Sequence, residues 1–304
     1  MAGNVILPSR LIGLRLISTT ALRNTPVKLA YTIYDQDTPK DQKPEKPPVL
    51  VMHGLFGSRN NWNSLSKALN QLTKRRIITI DARNHGESPH TPEMTYQDMA
   101  WDIQHLLEKL NIKETVLMGH SMGGAAVMLT ALTYPYLVEK LVVVDMSPVR
   151  MSPSLQEMSL IMAAMSSIDF KGVQSLSQAR QHTDQALSTT IHSPTLRQFL
   201  VMNITEDPPG NFRWRVNLPV LIEHFPTHIA QFPTILPRLG GKTFTKPTLF
   251  IAGGKSDYIQ REDHPGMKKL FPNADFVYIE DAAHWLHAEK PAEFLKSSSD
   301  FINS

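Results

Sequence analysis

The chain has 304 residues, 41% of them hydrophobic and 19% charged, enough to bury a full core in one large α/β domain carrying an insertion. It has no cysteine, which excludes disulfides, cysteine nucleophiles and cysteine-ligated metals and makes an oxidising compartment unnecessary. The net charge of +3 resides in residues 1–30, where Arg10, Arg15, Arg23 and Lys28 meet no acid, and the remaining 27 bases and 28 acids form no basic stripe of the kind nucleic acid requires.

The leader, SRLIGLRLISTTALRN, mixes arginine, hydroxyl residues and leucine without acids, the pattern of a mitochondrial transit peptide, which we assign to residues 1–25. Arg10 and Arg15 break its apolar run, which is too short to span a bilayer, so no transmembrane segment is expected. VKLAYTIYD then alternates as a strand does, and DTPKDQKPEKPP is a polar, proline-rich loop ahead of the apolar strand VLVMH. A helix is predicted over 62–75, then the strand RIITID, a helix near 95–110, and the strands TVLMGH and KLVVVDM. Strands alternating with helices over 26–146 predict a mostly parallel sheet flanked by helices.

From 147 to 245 the rhythm changes to methionine-bearing amphipathic helices joined by proline-rich connections, with no strong strand, and we read this as an inserted helical cap. The strand-helix pattern returns over 246–304 with PTLFIAGG, ADFVYIED and AAHWLHAEKPAEFLKSSSDFI. Neither a repeat nor a metal motif stands out: there is no His-Glu-x-x-His, and His224 and His228 sit among Pro219, Pro226 and Pro233, which disfavour one regular helix. No metal is expected.

Between the strand VLM and the apolar segment AAVML lies Gly119-His120-Ser121-Met122-Gly123. Gly-x-Ser-x-Gly at a strand-to-helix junction is a nucleophile elbow, a sharp turn that lifts a serine above the strand ends and points the next N–H, that of Met122, at a developing oxyanion. Such a serine needs a base and the base an orienting carboxylate. His284, in EDAAHWLHAEKP, lies in a loop between a strand and a helix and suits the base; His287, nearer the helix, fits a partly exposed surface histidine better. His53-Gly54-Leu55-Phe56 ends an earlier strand, and the N–H of Leu55 is the candidate second oxyanion donor.

HGLFGS, DARNHGES, GHSMGG, DMSPV and AHWLHAEKP, in this order and spacing, resemble the α/β-hydrolase superfamily over about residues 27–302, and most closely its esterase members. The resemblance implies a serine hydrolase of acyl esters, lipid-like ones such as diacylglycerol included, mitochondrial in eukaryotic members and hence located in the matrix. One departure is Ala283, where the superfamily commonly has glycine, a residue that reaches φ > 0 more cheaply.

The orienting acid has two candidates. Asp257, in IAGGKSDYI, stands where most of the superfamily has its acid; Asp145, 24 residues beyond Ser121, stands where the resemblance to the esterase members implies one. Asp257 also suits a turn former, whereas Asp145 ends an apolar strand, where a carboxylate is costly unless paired or open to a cleft. GGKS does not complete a phosphate loop, because the first glycine that motif needs is Leu249. DARNHGES reads as a rim loop held by Asp81 and Arg83, without chemistry of its own.

The cap brings Met151, Met158, Met162, Met165, Met202, Leu160, Ile161, Phe199, Phe212 and Trp214 over the strand ends, a composition that suits an apolar acyl pocket or the cap's own core. The expected activity is ester hydrolysis on a small-molecule acyl ester without cofactor. Acyl transfer to an alcohol and a non-catalytic role as partner of a mitochondrial complex are the alternatives; dehalogenase or epoxide hydrolase chemistry needs an aspartate where Ser121 stands.

Overall fold

The structure, a computed structural model, describes residues 25–35 and 46–304. The expected transit peptide, apart from Thr25, and residues 37–45 of the proline-rich loop lie outside the described residues.

The first half runs β1 (Tyr31–Tyr34), β2 (Val49–Met52), α1 (Asn63–Thr73), β3 (Ile77–Ile80), α2 (Tyr96–Lys109), β4 (Thr115–His120), α3 (Met122–Thr133) and β5 (Val138–Val144). Then come α4 (Leu155–Ser166), α5 (Leu176–Leu187), α6 (Pro194–Val201), β6 (Ile204–Glu206), β7 (Phe212–Trp214), α7 (Leu218–His224) and α8 (Phe232–Ile235). The chain closes with β8 (Thr248–Gly253), α9 (His264–Leu270), β9 (Ala274–Ile279), α10 (Leu286–Glu289) and α11 (Pro291–Asn303). Among the described residues, no helix is long and apolar enough to cross a membrane.

Seven strands form one sheet in the order β1-β3-β2-β4-β5-β8-β9; β1 is antiparallel to β3 and all other pairs are parallel. The central strands are buried on both faces, so their residues are continuously apolar, and the period of two sorts them between two cores. Leu50 and Met52 of β2 join the core beneath α2 and α3, while Val49 and Val51 join a second one with Trp62, Leu65, Leu69, Phe294 and Ile302 of the α1–α11 side. α2 starts at a capping box in which the Thr95 hydroxyl accepts the Asp98 N–H (3.1 Å) and the Asp98 carboxylate accepts the Thr95 N–H (3.1 Å). Its buried apolar residues Tyr96, Met99, Ala100, Ile103, Leu106 and Leu107 follow the helical period.

The segment between β5 and β8 adds one pair of short strands to the mainly helical reading of 147–245. β6 and β7 pair as an antiparallel hairpin around Asp207-Pro208-Pro209-Gly210-Asn211. Strands of three residues carry too little alternation to show a period; the proline-glycine turn was the available signal. Phe212 packs with Ala179, Val201 and Ile204 in a small core of their own. Because β2, β4, β5 and β8 run parallel, their C-terminal ends share one edge, where chain crossovers leave a crevice.

Candidate active site

Ser121 joins β4 to α3 with φ 53° and ψ −119°, a strained conformation for a residue with a side chain. Its N–H is anchored to the Val144 carbonyl (2.9 Å). The flanking glycines are dictated by close approach: a Cβ on Gly119 would lie 2.2 Å from the Gly123 carbonyl oxygen, and one on Gly123 would lie 2.4 Å from that of Met52. The elbow is pressed against β2.

The Ser121 hydroxyl lies 2.9 Å from His284 Nε2, and His284 Nδ1 lies 2.7 Å from Asp145 Oδ2. With Nδ1–H donated to the carboxylate, Nε2 is left to accept the serine proton. Asp145 follows β5 with φ 49° and is fully buried, but its charge is well served. Oδ1 accepts the Gly253 N–H (3.1 Å), and Oδ2 also accepts the Ser256 hydroxyl. Asp257 goes elsewhere. Its carboxylate accepts the Ser152 hydroxyl (2.7 Å), the Ser154 hydroxyl (2.8 Å) and the Ser154 N–H (3.2 Å), fastening the start of the α4 segment. Burial works against the Asp257 charge, but these donors outweigh it and hold the carboxyl below the usual range.

Two contacts fix the His284 loop. The Tyr258 ring stacks on the imidazole (4.0 Å between centroids, 15° between planes), and His120 Nε2–H donates to the His284 carbonyl (2.9 Å). His287 is not the partly exposed residue its position suggested. It is buried, lies flat against Trp62 (4.7 Å, 3°), and is pushed down to about 3 by burial and then by neighbouring His284, so it is neutral. Ala283 carries no strain, because the positive φ of this loop falls at Asp281 (60°). The Ala283 N–H donates to Glu289 (2.9 Å).

Leu55 sits in the turn Gly54–Gly57, closed by the Gly57 N–H to the Gly54 carbonyl (2.9 Å), and Met122 opens α3. Among the described residues, neither the Leu55 nor the Met122 N–H donates to another group, and both residues line the cleft that holds Ser121 and His284. Two N–H donors beside a hydroxyl–imidazole–carboxylate chain are what acyl transfer through a tetrahedral oxyanion requires.

Met158 and Ile161 of α4 and Phe199 of α6 wall the cleft, as the cap composition suggested. Met162 and Met165 turn into the buried core instead, Phe212 and Trp214 pack around the hairpin, and Met151, Leu160 and Met202 are exposed. Leu155, Leu196, Phe225, Ile229 and Trp285 complete the apolar wall. Leu155 was reachable by helical period from Met158; the others depend on tertiary packing. Ser256 was hidden within the GGKS run, whose Lys255 pairs with Asp281 (3.0 Å) at the surface. In DARNHGES, Asp81 takes the Arg59 side chain and N–H (2.6 Å), and buried Arg83 grips Asp102 (2.7 and 2.8 Å), so both residues hold the loop.

Residues 47–291 match the family model described as alpha/beta hydrolase fold. The mouse (Mus musculus) protein named sn-1-specific diacylglycerol lipase ABHD11 is 41% identical over 277 residues, spanning 91% of this chain and 86% of the mouse one. Esterase YbfF of Escherichia coli is 34% identical over 257 residues, spanning 84% of this chain and 93% of its own. A solved structure described as a marine microorganism esterase superposes with a TM-score of 0.77 at 33% identity, over 90% of this chain and 99% of that one. The family match over most of the chain, the similarity to these esterases and the parallel sheet agree: the chain belongs to the alpha/beta hydrolase fold family.

Proposed function

We propose that this protein is a serine hydrolase that cleaves carboxylic esters of apolar acyl chains, diacylglycerol among them, through an acyl-enzyme on Ser121. The observation that carries the reading is His284 bridging the Ser121 hydroxyl (2.9 Å) and the buried Asp145 carboxylate (2.7 Å) at the floor of an apolar cleft. Ser121 Oγ attacks the ester carbonyl while His284 Nε2 takes its proton, and the carbonyl oxygen becomes an oxyanion facing the N–H groups of Leu55 and Met122. Collapse expels the alcohol with the proton from His284; water, deprotonated by the same imidazole, then releases the acid. Asp145 holds the imidazole in the tautomer this exchange needs.

The acyl class rests on the cleft walls, on Met158, Ile161 and Phe199 above all, and the glycerolipid class on the name of the mouse relative. We further propose a mitochondrial matrix location, which the acid-free, arginine-bearing leader supports; a fluorescent fusion lacking residues 1–25 is expected to stay outside the organelle.

A fluorophosphonate probe tests the chemistry: it is expected to label the protein and to leave Ser121→Ala unlabelled, whereas equal labelling of both overturns the reading. The substrate is tested with sn-1,2-diacylglycerol and a p-nitrophenyl ester series. Rates indifferent to acyl length, or highest for a charged acyl group, count against the apolar class. With an added alcohol, ester formation outpacing acid release assigns acyl transfer in place of hydrolysis.

A further inference from the structure

We propose that Asn203 is a positioning residue for the oxyanion turn, so that the segment between β5 and β8 holds one of the two oxyanion donors in place as well as walling the cleft. The inference rests on the functional reading above, in which the Leu55 N–H meets the oxyanion.

That N–H is aimed by the turn Gly54–Gly57, and the turn has an unusual third residue. Phe56 is a buried aromatic with φ 60°, a position for which such turns prefer glycine. The bond closing the turn, Gly57 N–H to the Gly54 carbonyl (2.9 Å), does not enforce this geometry, because turns of both peptide orientations share it. What selects the observed orientation must grip Phe56 from outside.

Two groups do so. The Phe56 N–H donates to His85 Nε2 (3.2 Å), and the Phe56 carbonyl accepts from Asn203 Nδ2 (2.6 Å). His85 is fit to accept because its Nδ1–H is given to the Arg83 carbonyl (3.0 Å). Burial holds it neutral, pushed down to about 3. Both faces of one strained residue are therefore occupied, one from the DARNHGES loop and one from the segment inserted after β5.

Asn203 is itself held firmly. It is buried two residues beyond the end of α6, its N–H donates to the Leu200 carbonyl (2.9 Å), and its carbonyl accepts the Arg215 N–H (2.6 Å) at the foot of the β6–β7 hairpin. The same stretch steadies the other arm of the clamp. The Asn217 N–H donates to the Asn84 carbonyl (2.9 Å) and the Asn217 side chain to that of Asn84 (3.0 Å), next to His85. Phe199, on the cleft wall, precedes Asn203 by four residues, so the acyl wall and the clamp on the oxyanion turn share one short stretch at the end of α6.

Asn203→Leu, similar in size and without a donor, is compared with Asn203→His, which can present an N–H from a similar place. In Asn203→Leu, kcat/KM for a p-nitrophenyl ester is expected to fall about tenfold to hundredfold, less than the roughly hundredfold to thousandfold for losing an oxyanion donor outright, because the Leu55 N–H is misaimed rather than removed. Affinity for a trifluoromethyl ketone, whose adduct with Ser121 places an oxyanion in the same spot, is expected to fall by a matching factor. KM and the pH at which the rate rises stay put, and Asn203→His recovers most of the loss. Asn203→Ala replaces the leucine variant if thermal melting shows that the latter does not fold. Two results overturn the inference: kcat/KM within about twofold of wild type, or lost activity with ketone affinity unchanged. Wild-type protein that neither hydrolyses esters nor reacts with the fluorophosphonate defeats the functional reading, and this inference with it.

Discussion

Replacing Asp145 by asparagine exchanges one oxygen for an NH2 group and leaves no arrangement that both satisfies its neighbours and keeps His284 a base. The carboxylate accepts at both oxygens: Oδ1 from the Gly253 N–H (3.1 Å), Oδ2 from His284 Nδ1–H (2.7 Å) and from the Ser256 hydroxyl. An amide with its NH2 toward Gly253 sets that NH2 against the Gly253 N–H, donor against donor, in a site where Asp145 is fully buried. With the NH2 toward His284, the imidazole must accept at Nδ1 and carry its proton on Nε2, where it faces the Ser121 hydroxyl as a donor and no longer serves as its base. The first orientation keeps the base at the cost of two facing donors in the core; the second relieves that clash but removes the base, and the clash drives most molecules to the second. In other serine hydrolases the equivalent change costs about 10⁴ in kcat, so a fall of about 10³ to 10⁴ is expected here, equivalent to about 4 to 5.5 kcal/mol of barrier. Asp257→Asn keeps an oxygen for the Ser152 hydroxyl and touches no reacting group, so its kcat is expected to stay within about fivefold of wild type, with a modest loss of melting temperature. Steady-state kinetics on a p-nitrophenyl ester, with circular dichroism to certify the fold, decide the matter. A folded Asp145→Asn retaining more than about a tenth of wild-type kcat, or a larger loss in Asp257→Asn, refutes the assignment.

Gly123→Ala forces a methyl group to within 2.4 Å of the Met52 carbonyl oxygen, so the elbow must leave β2; insoluble protein, or soluble protein that the fluorophosphonate does not label, is expected, and wild-type labelling contradicts it. His287, pushed down to about 3 by burial, is protonated in the unfolded chain at pH values where the folded chain refuses the proton, so its contribution is complete above about pH 6.5 and drains away as pH falls toward 3. His287→Phe, which retains a ring against Trp62, is expected to lose about 2 kcal/mol less stability than wild type between pH 7 and pH 5, and equal losses in urea titrations refute this. Met158→Trp and Phe199→Trp narrow the cleft and are expected to cut the rate on the longest hydrolysed p-nitrophenyl ester about tenfold or more while sparing the acetate. A uniform loss across chain lengths counts against their placement on the acyl wall.

What was legible in the sequence was whatever a local pattern encodes. The buried strands announce themselves as apolar runs, and Gly119, Ser121 and Gly123 announce the elbow because only glycine tolerates the approach to β2 and to the following turn. The order of HGLFGS, GHSMGG and AHWLHAEKP placed Leu55, Met122 and His284 around Ser121. The acid stayed open because Asp145 and Asp257 both follow strands that end on the same edge, and which one faces the imidazole depends on side-chain partners far apart in sequence: Ser256 for one, Ser152 and Ser154 for the other. The burial of His287 was likewise invisible, since it follows from Trp62, a residue more than two hundred positions away. Asn203 carries no motif at all, and nothing in HGLFGS marks Phe56 as the strained residue that it grips.

β4 and β5 are adjacent in the sheet, in register from Val116 against Lys140 to His120 against Val144, and Ser121 and Asp145 are the next residues on each. The spacing between nucleophile and acid is thus set by one rung-by-rung ladder. The base arrives from the opposite end of the chain, after β9, and the Ser256 hydroxyl that shares its carboxylate comes from the turn after β8. In chain terms the machinery is two separable pieces: an amino-terminal piece holding nucleophile, acid and both oxyanion donors, and a carboxy-terminal piece supplying the imidazole. A peptide-bond cut in an exposed turn of the intervening segment, such as the Gly240-Gly241 stretch, parts the two pieces covalently while leaving every residue of each piece's own sheet contacts in place. Each piece alone lacks part of the Ser121–His284–Asp145 chain, and the surface on which they meet is the pairing of β5 with β8 and the stack of Trp62 on His287, so activity after such a cut reads out docking of two sheet fragments.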